Sequence, residues 1–293
     1  MPSLSFDPFA HIYDETRGYP AAVAQQIAQA IDQVANATAQ TAYLEVGVGT
    51  GRIALPLASL GRTYTGVDIS QKMVDRLKEK IQSTGWDEQS QPWGEQPDEE
   101  RSRIIPVSRY TQDQPPATLR IVMNDITDLP FHDQSFDVVI SVHVFHLVDG
   151  WQNAIQEVLR VLRPGGLLLH CGDDHGPSEV QPIQDEWRKI INDLGFDPRR
   201  PGAPSHQIVT QYLRQRFETE EIQALTWQRQ LTPRQVLRDI ELRHFSSTWV
   251  IPEHIFMQAI PRLRSWVAEK YGARMDTVYA QQSRFVINKT RTT

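Results

Sequence analysis

The 293-residue sequence contains one cysteine, Cys171, and it lacks any apolar run long enough to cross a bilayer. A single cysteine excludes a disulfide within the chain and favours a reducing compartment, and its apolar neighbours predict a small buried residue. The N-terminal segment is polar and lacks the long apolar core of a secretory signal. We therefore expect a cytoplasmic protein that does not insert into membranes.

Basic residues are also in short supply, because 30 lysines and arginines stand against 36 aspartates and glutamates and leave a net charge of −6. A pI near 5.9 gives no electrostatic sign of a nucleic-acid-binding surface, so no nucleic-acid partner is expected. The sequence also shows no internal repeat, metal-ligand spacing, P-loop or nucleophile elbow. These absences favour a protein that acts on a small molecule, and they leave its oligomeric state open.

The most informative stretch is YLEVGVGTGR, from Tyr43 to Arg52. An apolar run ends in three glycines at alternate positions, Gly47, Gly49 and Gly51, and a helical pattern follows at once. An α/β sheet holds a nucleotide-like ligand with such a strand, glycine-rich turn and helix, since glycine lets the backbone turn sharply and approach the ligand. A tight turn that binds nothing is the alternative.

Two residues narrow the identity of the ligand. Arg52 stands where a dinucleotide fingerprint needs its third glycine, so the spacing for NAD fails. Glu45 would lie unfavourably beside a pyrophosphate, but it suits a ligand that carries an ammonium and a sulfonium group. S-adenosylmethionine (SAM) carries both groups and only one carboxylate for the loop amides to bind. The stretch therefore favours SAM, with Glu45, Gly47 and Gly49 as binding residues.

This E-x-G-x-G-x-G motif resembles the first motif of the class I SAM-dependent methyltransferases. A later phrase, VLRPGGLLL, is similar to the late motif of that family, particularly of its type 11 group, which methylates small molecules. The resemblance covers about residues 13–172 and is interrupted by an insertion. It implies an α/β, Rossmann-like fold with a seven-stranded, mostly parallel sheet and helices on both faces, and S-adenosyl-L-methionine as the cofactor.

The second predicted strand, Thr63 to Val67, ends at Asp68, 17 residues after the last glycine of the loop. An acid at this strand tip accepts hydrogen bonds from both ribose hydroxyls of a nucleotide, and the separation is close to the usual one. A helix cap is the alternative, but Ser70 is better placed to cap the helix Gln71 to Ile81. We therefore assign Asp68 to the ribose and expect Ile69 to lie at the cofactor as well.

Asp125 and Ile126 follow the predicted strand Leu119 to Met123. In the family that the sequence resembles, an aspartate in this place holds the adenine amino group and the next residue packs at the ring. The resemblance implies these roles for Asp125 and Ile126. A turn-forming aspartate is the alternative, although Asp128 is the better turn residue.

A continuous apolar run with β-branched residues, DVVISVHVFHL, predicts a central parallel strand covered on both faces. Ser141, Val142 and His143 fall near its C-terminal end, where open α/β sheets bind ligands. We expect Ser141 and Val142 at the cofactor. His143 is predicted to be catalytic, as the base for an acceptor that loses a proton, with His146 and Asp173 as weaker choices. A structural hydrogen-bonding role is the alternative for His143.

Near the N-terminus, Tyr13 and Arg17 precede an amphipathic helix that begins at about Pro20. Related small-molecule methyltransferases have a Tyr-x-x-x-Arg segment that closes over SAM and the substrate. This resemblance implies that Tyr13 lies at the cofactor and that Arg17 pairs with the methionine carboxylate. The alternative is that both are ordinary polar residues of a surface loop.

We predict one SAM-dependent methyltransferase domain over residues 1–293, with additions at three places. Residues 86–118 contain prolines, an acidic run and few apolar residues, which predicts a flexible insertion. The helical patterns of 174–206 and 232–272 surround the last two strands and predict a helical lid over the ligand crevice.

The predicted activity is methyl transfer from SAM to an oxygen, nitrogen or carbon atom of a small-molecule acceptor by in-line displacement. A methyltransferase of tRNA or protein, and a SAM-binding module without activity, are the alternatives. The acidic pI disfavours a tRNA substrate. The predicted binding residues do not separate an enzyme from a module that only binds SAM.

Overall fold

The computed structural model describes residues 3–89 and 107–292. Within these ranges nine strands form one sheet. They are β1 (Ala42–Val46), β2 (Thr63–Asp68), β3 (Asp87–Gln89), β4 (Val107–Asp113), β5 (Pro116–Met123), β6 (Phe136–Val142), β7 (Leu162–His175), β8 (Thr219–Leu231) and β9 (Tyr279–Arg291).

The helices of the same ranges lie before β1 or between strands. They are α1 (Tyr13–Arg17), α2 (Ala21–Ala35), α3 (Ala54–Ala58), α4 (Gln71–Ser83), α5 (Trp151–Val161), α6 (Gln181–Asp193), α7 (His206–Arg214), α8 (Pro233–Glu241), α9 (Ser246–Trp249) and α10 (Glu253–Tyr271). Short 3₁₀ helices are Asp7–Ile12, Phe145–Leu147 and Gly272–Arg274. Among the described residues, none of the helices combines the length and the apolar character that a membrane span needs.

The strand order is β3-β4-β5-β2-β1-β6-β7-β9-β8. Five neighbouring strands of the sheet pair in parallel, as in a Rossmann-like sheet: β5, β2, β1, β6 and β7. β9 is antiparallel to β7, because the amide of Thr292 donates to the carbonyl of Gly166 and that of Gly176 donates to Gln282. The predicted fold class is confirmed, although the described residues contain nine strands and the prediction was seven.

β3 and β4, the two additional strands, lie within residues 86–118, which the sequence predicted to be a flexible insertion. β3 pairs with β4, and β4 pairs antiparallel with β5, so that Tyr110 lies opposite Leu119. Tyr110 is the buried residue of β4, and the other residues of this strand are partly or fully exposed. The rest of the predicted flexible insertion, residues 90–106, lies outside the described residues.

The central strands are apolar runs that are buried on both faces. In β1, Tyr43, Leu44 and Val46 are fully buried. Ser70 caps α4, as predicted, by accepting a hydrogen bond from the amide of Met73 at 3.3 Å. The residues that α4 buries are Met73, Val74, Leu77 and Ile81.

Two helices are shorter than their sequence patterns. α3 has only five residues, Ala54–Ala58, and because it begins at Ala54, Pro56 lies in its first turn, where proline is tolerated. α5 ends at Val161 and does not reach Arg163, since Leu162 is already extended with φ −75° and ψ 137°. β7 therefore begins at Leu162, opposite Phe136 of β6.

The chain divides into two compact units. The first comprises Met1–Gly172, Pro201–Leu225 and Phe285–Thr293, and it contains the glycine-rich loop. The second comprises Asp173–Arg200 and Thr226–Arg284. It has an apolar core of its own, in which Trp187 of α6 packs edge-to-face against Phe256 of α10. The role of its helices as a lid stays a prediction.

Candidate active site

The glycine-rich loop follows β1 at the carboxyl edge of the parallel strands. Gly47 and Gly49 have φ values of +77° and +56°, in the left-handed region that favours glycine. Space is also restricted, because a Cβ on Gly47 would lie 2.6 Å from Cγ2 of Val144, and one on Gly49 would lie 3.2 Å from Cε of Met73. The two glycines therefore form a cradle that side chains would fill.

The helix after this loop differs from the prediction. α3 begins only at Ala54, and its five residues give little macrodipole to attract an anion. The loop backbone is fixed from the neighbouring strand, since the amide of Gly47 donates to the carbonyl of Val67 at 2.8 Å. α3 therefore contributes little to the attraction of a ligand anion, and the amide of Gly47 serves to position the loop.

Asp68, at the tip of β2, is tied to the loop. Its Oδ2 accepts a hydrogen bond from the amide of Gly49 at 2.7 Å, and its Oδ1 accepts one from the amide of Ser70 at 2.8 Å. Burial raises the pKa of Asp68, and these hydrogen bonds act in the opposite direction. The carboxylate predicted to bind the ribose thus also holds the glycine-rich loop in place.

Asp125 forms the turn after β5. Its Oδ1 accepts hydrogen bonds from the amide of Thr127 at 2.9 Å and from the Thr127 hydroxyl at 2.8 Å. The turn-forming role, for which Asp128 was the preferred residue, therefore belongs to Asp125. The turn does not remove the residue from the site, because Asp125 and Ile126 still line the crevice described next.

A crevice of about 620 Å³, its open mouth included, lies at the carboxyl ends of β1, β2, β5 and β6. The sheet order reverses between β1 and β6, which is where open α/β sheets bind ligands. Arg17, Glu45 and Ser141 do not line this crevice. The other nine residues that the sequence assigned to the site do: Tyr13, Gly47, Gly49, Asp68, Ile69, Asp125, Ile126, Val142 and His143.

Glu45 is buried in the sheet, with 2% of its surface exposed. Its Oε2 accepts a hydrogen bond from the hydroxyl of Tyr64 at 2.9 Å. Burial raises the pKa of Glu45 to about 8, although this hydrogen bond and the charge of Arg52 lower it. The side chain is therefore mostly protonated at neutral pH. The expectation of a carboxylate beside a cationic ligand has no support from this geometry.

Arg17 ends α1, and its backbone carbonyl contacts Arg52. The carbonyl of Arg17 accepts a hydrogen bond from Nη1 of Arg52 at 2.9 Å. The Arg52 guanidinium also lies over the ring of Tyr19, 4.7 Å from its centroid. Arg52, which breaks the dinucleotide spacing, thus holds the N-terminal segment, and pairing of Arg17 with a carboxylate stays a prediction.

Residues 3–17, here called the N-terminal strap, supply Tyr13 and Ser3 to Phe6 to the crevice wall. Asp14 fastens this strap, because its Oδ1 accepts hydrogen bonds from the Thr50 hydroxyl at 2.7 Å and from Nζ of Lys80 at 2.6 Å. The sequence analysis missed this contact. Its partners lie 36 and 66 residues away, so no local pattern could have shown it.

Asp7 fastens the strap to the start of α4. Its Oδ1 accepts hydrogen bonds from the Ser70 hydroxyl at 2.6 Å and from the amide of Lys72 at 3.0 Å. Burial alone would raise the pKa of Asp7, but the hydrogen bonds from Ser70 and Lys72 hold it below its ordinary value. The amide of Leu4 also donates to the carbonyl of Leu147 at 2.9 Å, so the strap is held on both sides of the crevice.

His143 directly follows β6 and has a φ of +52°, in the left-handed region that residues other than glycine seldom adopt. It lines the crevice together with Val142. Ser141 is fully buried, with its Oγ 3.0 Å from Nδ1 of His170. The end of β6 therefore presents Val142 and His143 to the crevice, while the hydroxyl of Ser141 contacts β7.

His143, His170 and His206 form what we call the imidazole cluster. The His170 ring stacks on that of His206, with centroids 3.9 Å apart and planes 20° apart. Nδ2 of Asn288 donates to Nε2 of His206 at 2.8 Å. Burial, and then the charges of His206 and His143, lower the pKa of His170 well below its ordinary value, so His170 stays neutral. The sequence analysis missed His170 and His206.

The imidazole cluster does not have the arrangement of a metal site. Among residues 3–89 and 107–292, no three histidine, cysteine, aspartate or glutamate side chains are placed to hold a metal ion. Cys171, beside the cluster in sequence, is a buried free thiol, as predicted. The chemistry of the cluster therefore rests on hydrogen bonding and proton transfer by imidazole.

Two family models, both described as a methyltransferase domain, match the sequence at residues 44–92 and 102–170. The first match contains the glycine-rich loop and Asp68, and the second contains Asp125 and His143. Both groups of residues lie at the same crevice. The sequence matches and the geometry therefore point to the same part of the molecule.

Similar proteins extend this result over the rest of the chain. Phosphatidylethanolamine N-methyltransferase of Cereibacter sphaeroides is 29% identical over 156 residues, which are 52% of this chain and 61% of that protein. The uncharacterized methyltransferase Rv3342 of Mycobacterium tuberculosis is 26% identical over 267 residues, 91% of this chain and 86% of its own. The structure of a putative methyltransferase from Bacillus halodurans shows the fold, with a TM-score of 0.53, 16% identity, and coverage of 91% of this chain and 99% of its own.

The sheet order and the crevice define a Rossmann-like enzyme with a nucleotide-type site. The sequence matches to methyltransferase domains support a class I SAM-dependent methyltransferase with S-adenosyl-L-methionine as its cofactor. The crevice fits this cofactor, because the cradle of Gly47 and Gly49 excludes side chains, and Asp68 and Asp125 place acceptor oxygens at its wall.

Proposed function

We propose that this enzyme transfers the methyl group of SAM to a small-molecule acceptor beside His143. The observation that carries the proposal is the common crevice, which brings the glycine-rich loop, Asp68, Asp125 and His143 together at one edge of the sheet. Three of these features suit binding of a nucleoside with an amino-acid tail. His143 has no place in binding such a ligand and is available for the chemistry of the acceptor.

Each part of the cofactor has a matching group in the crevice wall. Asp68 would accept hydrogen bonds from the ribose hydroxyls, and the cradle of Gly47 and Gly49 would leave room for the methionine tail of the cofactor. Asp125 would accept a hydrogen bond from the adenine amino group, since its Oδ2 lies outside the turn made by Oδ1. Ile69 and Ile126 supply apolar surface for the adenine ring.

When bound, SAM supplies an electrophilic methyl group that an acceptor atom attacks in line with the bond to sulfur. The protein has to align the acceptor and exclude water. For an acceptor that loses a proton, we assign His143 as the general base, because the left-handed turn after β6 places it in the crevice. For an acceptor with a free lone pair, His143 would only orient it.

Several observations favour a small molecule as the acceptor. The net charge of −6 disfavours a polyanionic substrate such as tRNA. A fatty-acid O-methyltransferase of Mycolicibacterium smegmatis is 27% identical over 206 residues, 67% of this chain and 61% of that protein. The relative from Cereibacter sphaeroides carries the name of an N-methyltransferase. These relatives support a small acceptor but differ in the atom that they methylate.

The test is a screen for methyl transfer with isotope-labelled SAM over hydroxyl, carboxyl and amino compounds, with tRNA and a protein extract included. We expect turnover with a small molecule, and a loss of about 10²–10⁴-fold in kcat for His143→Gln if the acceptor must lose a proton. The exposed His254 provides a matched control, His254→Gln, which should leave turnover unchanged. SAM binding without turnover on any compound would contradict the proposal and indicate a binding module. Methylation of tRNA alone, with salt-sensitive binding, would contradict the acceptor class.

A further inference from the structure

His143 is accompanied by a second imidazole at the carboxyl ends of β6 and β7. The two strands are paired so that Val142 lies opposite Cys171, which makes His143 and Gly172 the next residues of the two strands. His206, the first residue of α7, reaches the same place from a distant part of the sequence. Two imidazoles thus lie beside Gly172, where the parallel pairing of β6 with β7 ends.

Gly172 makes the space that both imidazoles occupy. A Cβ at this position would lie 3.2 Å from Nδ1 and Cε1 of His206 and 3.6 Å from Cε1 of His143. The φ of Gly172 is outside the left-handed region, so the backbone does not require glycine here. A side chain at position 172 would instead occupy the space around the rings of His143 and His206.

The orientation of His206 is fixed by its other contacts. Nε2 accepts a hydrogen bond from Nδ2 of Asn288 at 2.8 Å, and Asn288 is itself almost fully buried. In the neutral ring the proton must then be on Nδ1, which is the atom on the side of Gly172. The ring also stacks on that of His170, with centroids 3.9 Å apart. His206 therefore directs an N–H donor toward the strand ends beside His143.

We infer that the acceptor carries a phenolic or enolic hydroxyl and that His206 binds its oxygen. The inference rests on the proposed function, and it assigns His206 a role in the same site. One proton acceptor, His143, and one fixed N–H donor, His206, suit an oxygen that begins as a hydroxyl and becomes negative. The pair does not suit an ammonium group, which needs hydrogen-bond acceptors only.

The proton balance explains why the hydroxyl should be acidic. The O–H bond of the acceptor would break and its proton would pass to His143. The oxygen electron pair would form the bond to the methyl carbon as the methyl–sulfur bond breaks and leaves its electron pair on sulfur, which becomes the neutral thioether of S-adenosylhomocysteine. His206 keeps its proton and stabilises the negative charge that develops on oxygen. The ordinary pKa of imidazole is near 6.5 and that of a phenol is near 10, so imidazole can take a proton from a phenol as the methyl group is transferred. The pKa of an aliphatic alcohol is much higher, which makes the same proton transfer far less favourable.

The first test needs no acceptor and reads the tautomer of His206. Long-range ¹H–¹⁵N spectra of histidine-labelled protein distinguish a proton on Nδ1 from one on Nε2. We expect the Nδ1 form for His206, and its loss in Asn288→Leu. A proton on Nε2 of His206 in the wild-type protein would overturn the inference, because the donor would then face away from Gly172.

The second test uses phenol as the probe and benzylamine as the matched amine, with the protein saturated with S-adenosylhomocysteine. We expect phenol, but not benzylamine, to shift the ring signals of His143 and His206 along one saturation curve. His206→Phe should weaken phenol binding about tenfold, and His206→Asn, which restores an N–H donor, should recover part of it. His254→Phe, at an exposed position, serves as the control.

The outcomes of this second test separate the inference from the proposed function. S-adenosylhomocysteine should bind His206→Phe as it binds the wild-type protein, which shows that the variant is folded. Binding of phenol that is unchanged in His206→Phe, or a response to benzylamine equal to that to phenol, would overturn the inference alone. Absence of S-adenosylhomocysteine binding by the wild-type protein would contradict the proposed function instead.

Discussion

The two ends of the crevice use different chemistry to fix their polar groups. Around β1, β2 and β5, carboxylates are held by backbone amides close to them in sequence, as Asp68 is by Ser70 and Asp125 by Thr127. Around β6 and β7, imidazoles are held by side chains from distant elements, as His206 is by Asn288, 82 residues away. Asp125 is held by its local turn and Asp68 by its turn together with the more distant Gly49, whereas the imidazoles depend on tertiary packing.

This difference suggests how the two ends can vary. A carboxylate held by a turn keeps its position as long as the turn forms, so the cofactor end tolerates changes elsewhere. An imidazole held by stacking and by a distant amide depends on the packing of β7, β9 and α7 together. We therefore expect substitutions in those elements to alter the acceptor more readily than the cofactor.

Glu45 differs from both groups of side chains, because its pKa is set mainly by burial and not by a local turn. Its pKa is raised to about 8 in the folded protein against 4.5 as the ordinary value, so folding takes up a proton between these values. The free energy of unfolding should therefore fall as the pH rises from about 4.5 to about 8. At about 1.4 kcal/mol per pKa unit, the change is on the order of 3–5 kcal/mol.

Urea unfolding at several pH values would measure this contribution of Glu45. In Glu45→Gln, whose amide oxygen still accepts the Tyr64 hydrogen bond, the fall should be absent. Glu79→Gln is the matched control, since the side chain of Glu79 is 62% exposed. An identical pH dependence in Glu45→Gln and the wild-type protein would show that Glu45 titrates normally.

Asp68→Ala tests the cofactor end directly. The variant loses the predicted hydrogen bonds to the ribose and also the bond that holds the amide of Gly49. SAM binding should weaken by about 1.5–3 kcal/mol, the range for hydrogen bonds to a charged group. Calorimetric titration would measure it, with the exposed Asp75→Ala as control. An unchanged SAM affinity in Asp68→Ala would mean that the carboxylate holds the glycine-rich loop but does not bind the ribose.

Binding of NAD provides a second test of the part of the crevice around β1, β2 and β5. Arg52 leaves no third glycine for a dinucleotide, and its guanidinium already binds the N-terminal strap. SAM and S-adenosylhomocysteine should therefore bind in calorimetric titrations in which NAD does not. Tighter binding of NAD than of SAM would contradict the assignment of the crevice.

The predicted lid would add a third region to the comparison. Bound S-adenosylhomocysteine should slow hydrogen exchange in residues 174–206 and 232–272 about tenfold if these helices close over the site. The strands β1 and β6 provide an internal reference that should change little. Unchanged exchange in both helical regions at saturating ligand would show that they are fixed scaffold.

The smallest effect is expected for the N-terminal strap. Asp14→Asn removes the charge that Lys80 contacts, and since the pair is partly exposed, we expect a loss of about 0.5–1 kcal/mol in SAM affinity. Hydrogen exchange in residues 3–17 should accelerate at the same time. Glu15→Gln, at the exposed neighbouring position, is the control. Equal rates of hydrogen exchange of the N-terminal strap in Asp14→Asn and Glu15→Gln would show that the strap does not depend on Asp14.

The sequence determined the parts of this protein that local patterns encode. Apolar runs predicted the central strands, Ser70 was recognised as the cap of α4, and alternating glycines indicated the loop and the cofactor class. These features depend on residues within a few positions of one another, where periodicity and backbone sterics act directly. The positions of Asp68 and Asp125 at the crevice follow from the same strand ends.

The tertiary structure alone decided the rest. The protonated state of Glu45 follows from its burial beside Tyr64, and the strap depends on Asp14 meeting Lys80, 66 residues away. His206 reaches Gly172 only because the sheet order brings β6, β7 and β9 side by side. Burial and contacts between distant residues depend on which strands become neighbours, and no short stretch of sequence carries that information.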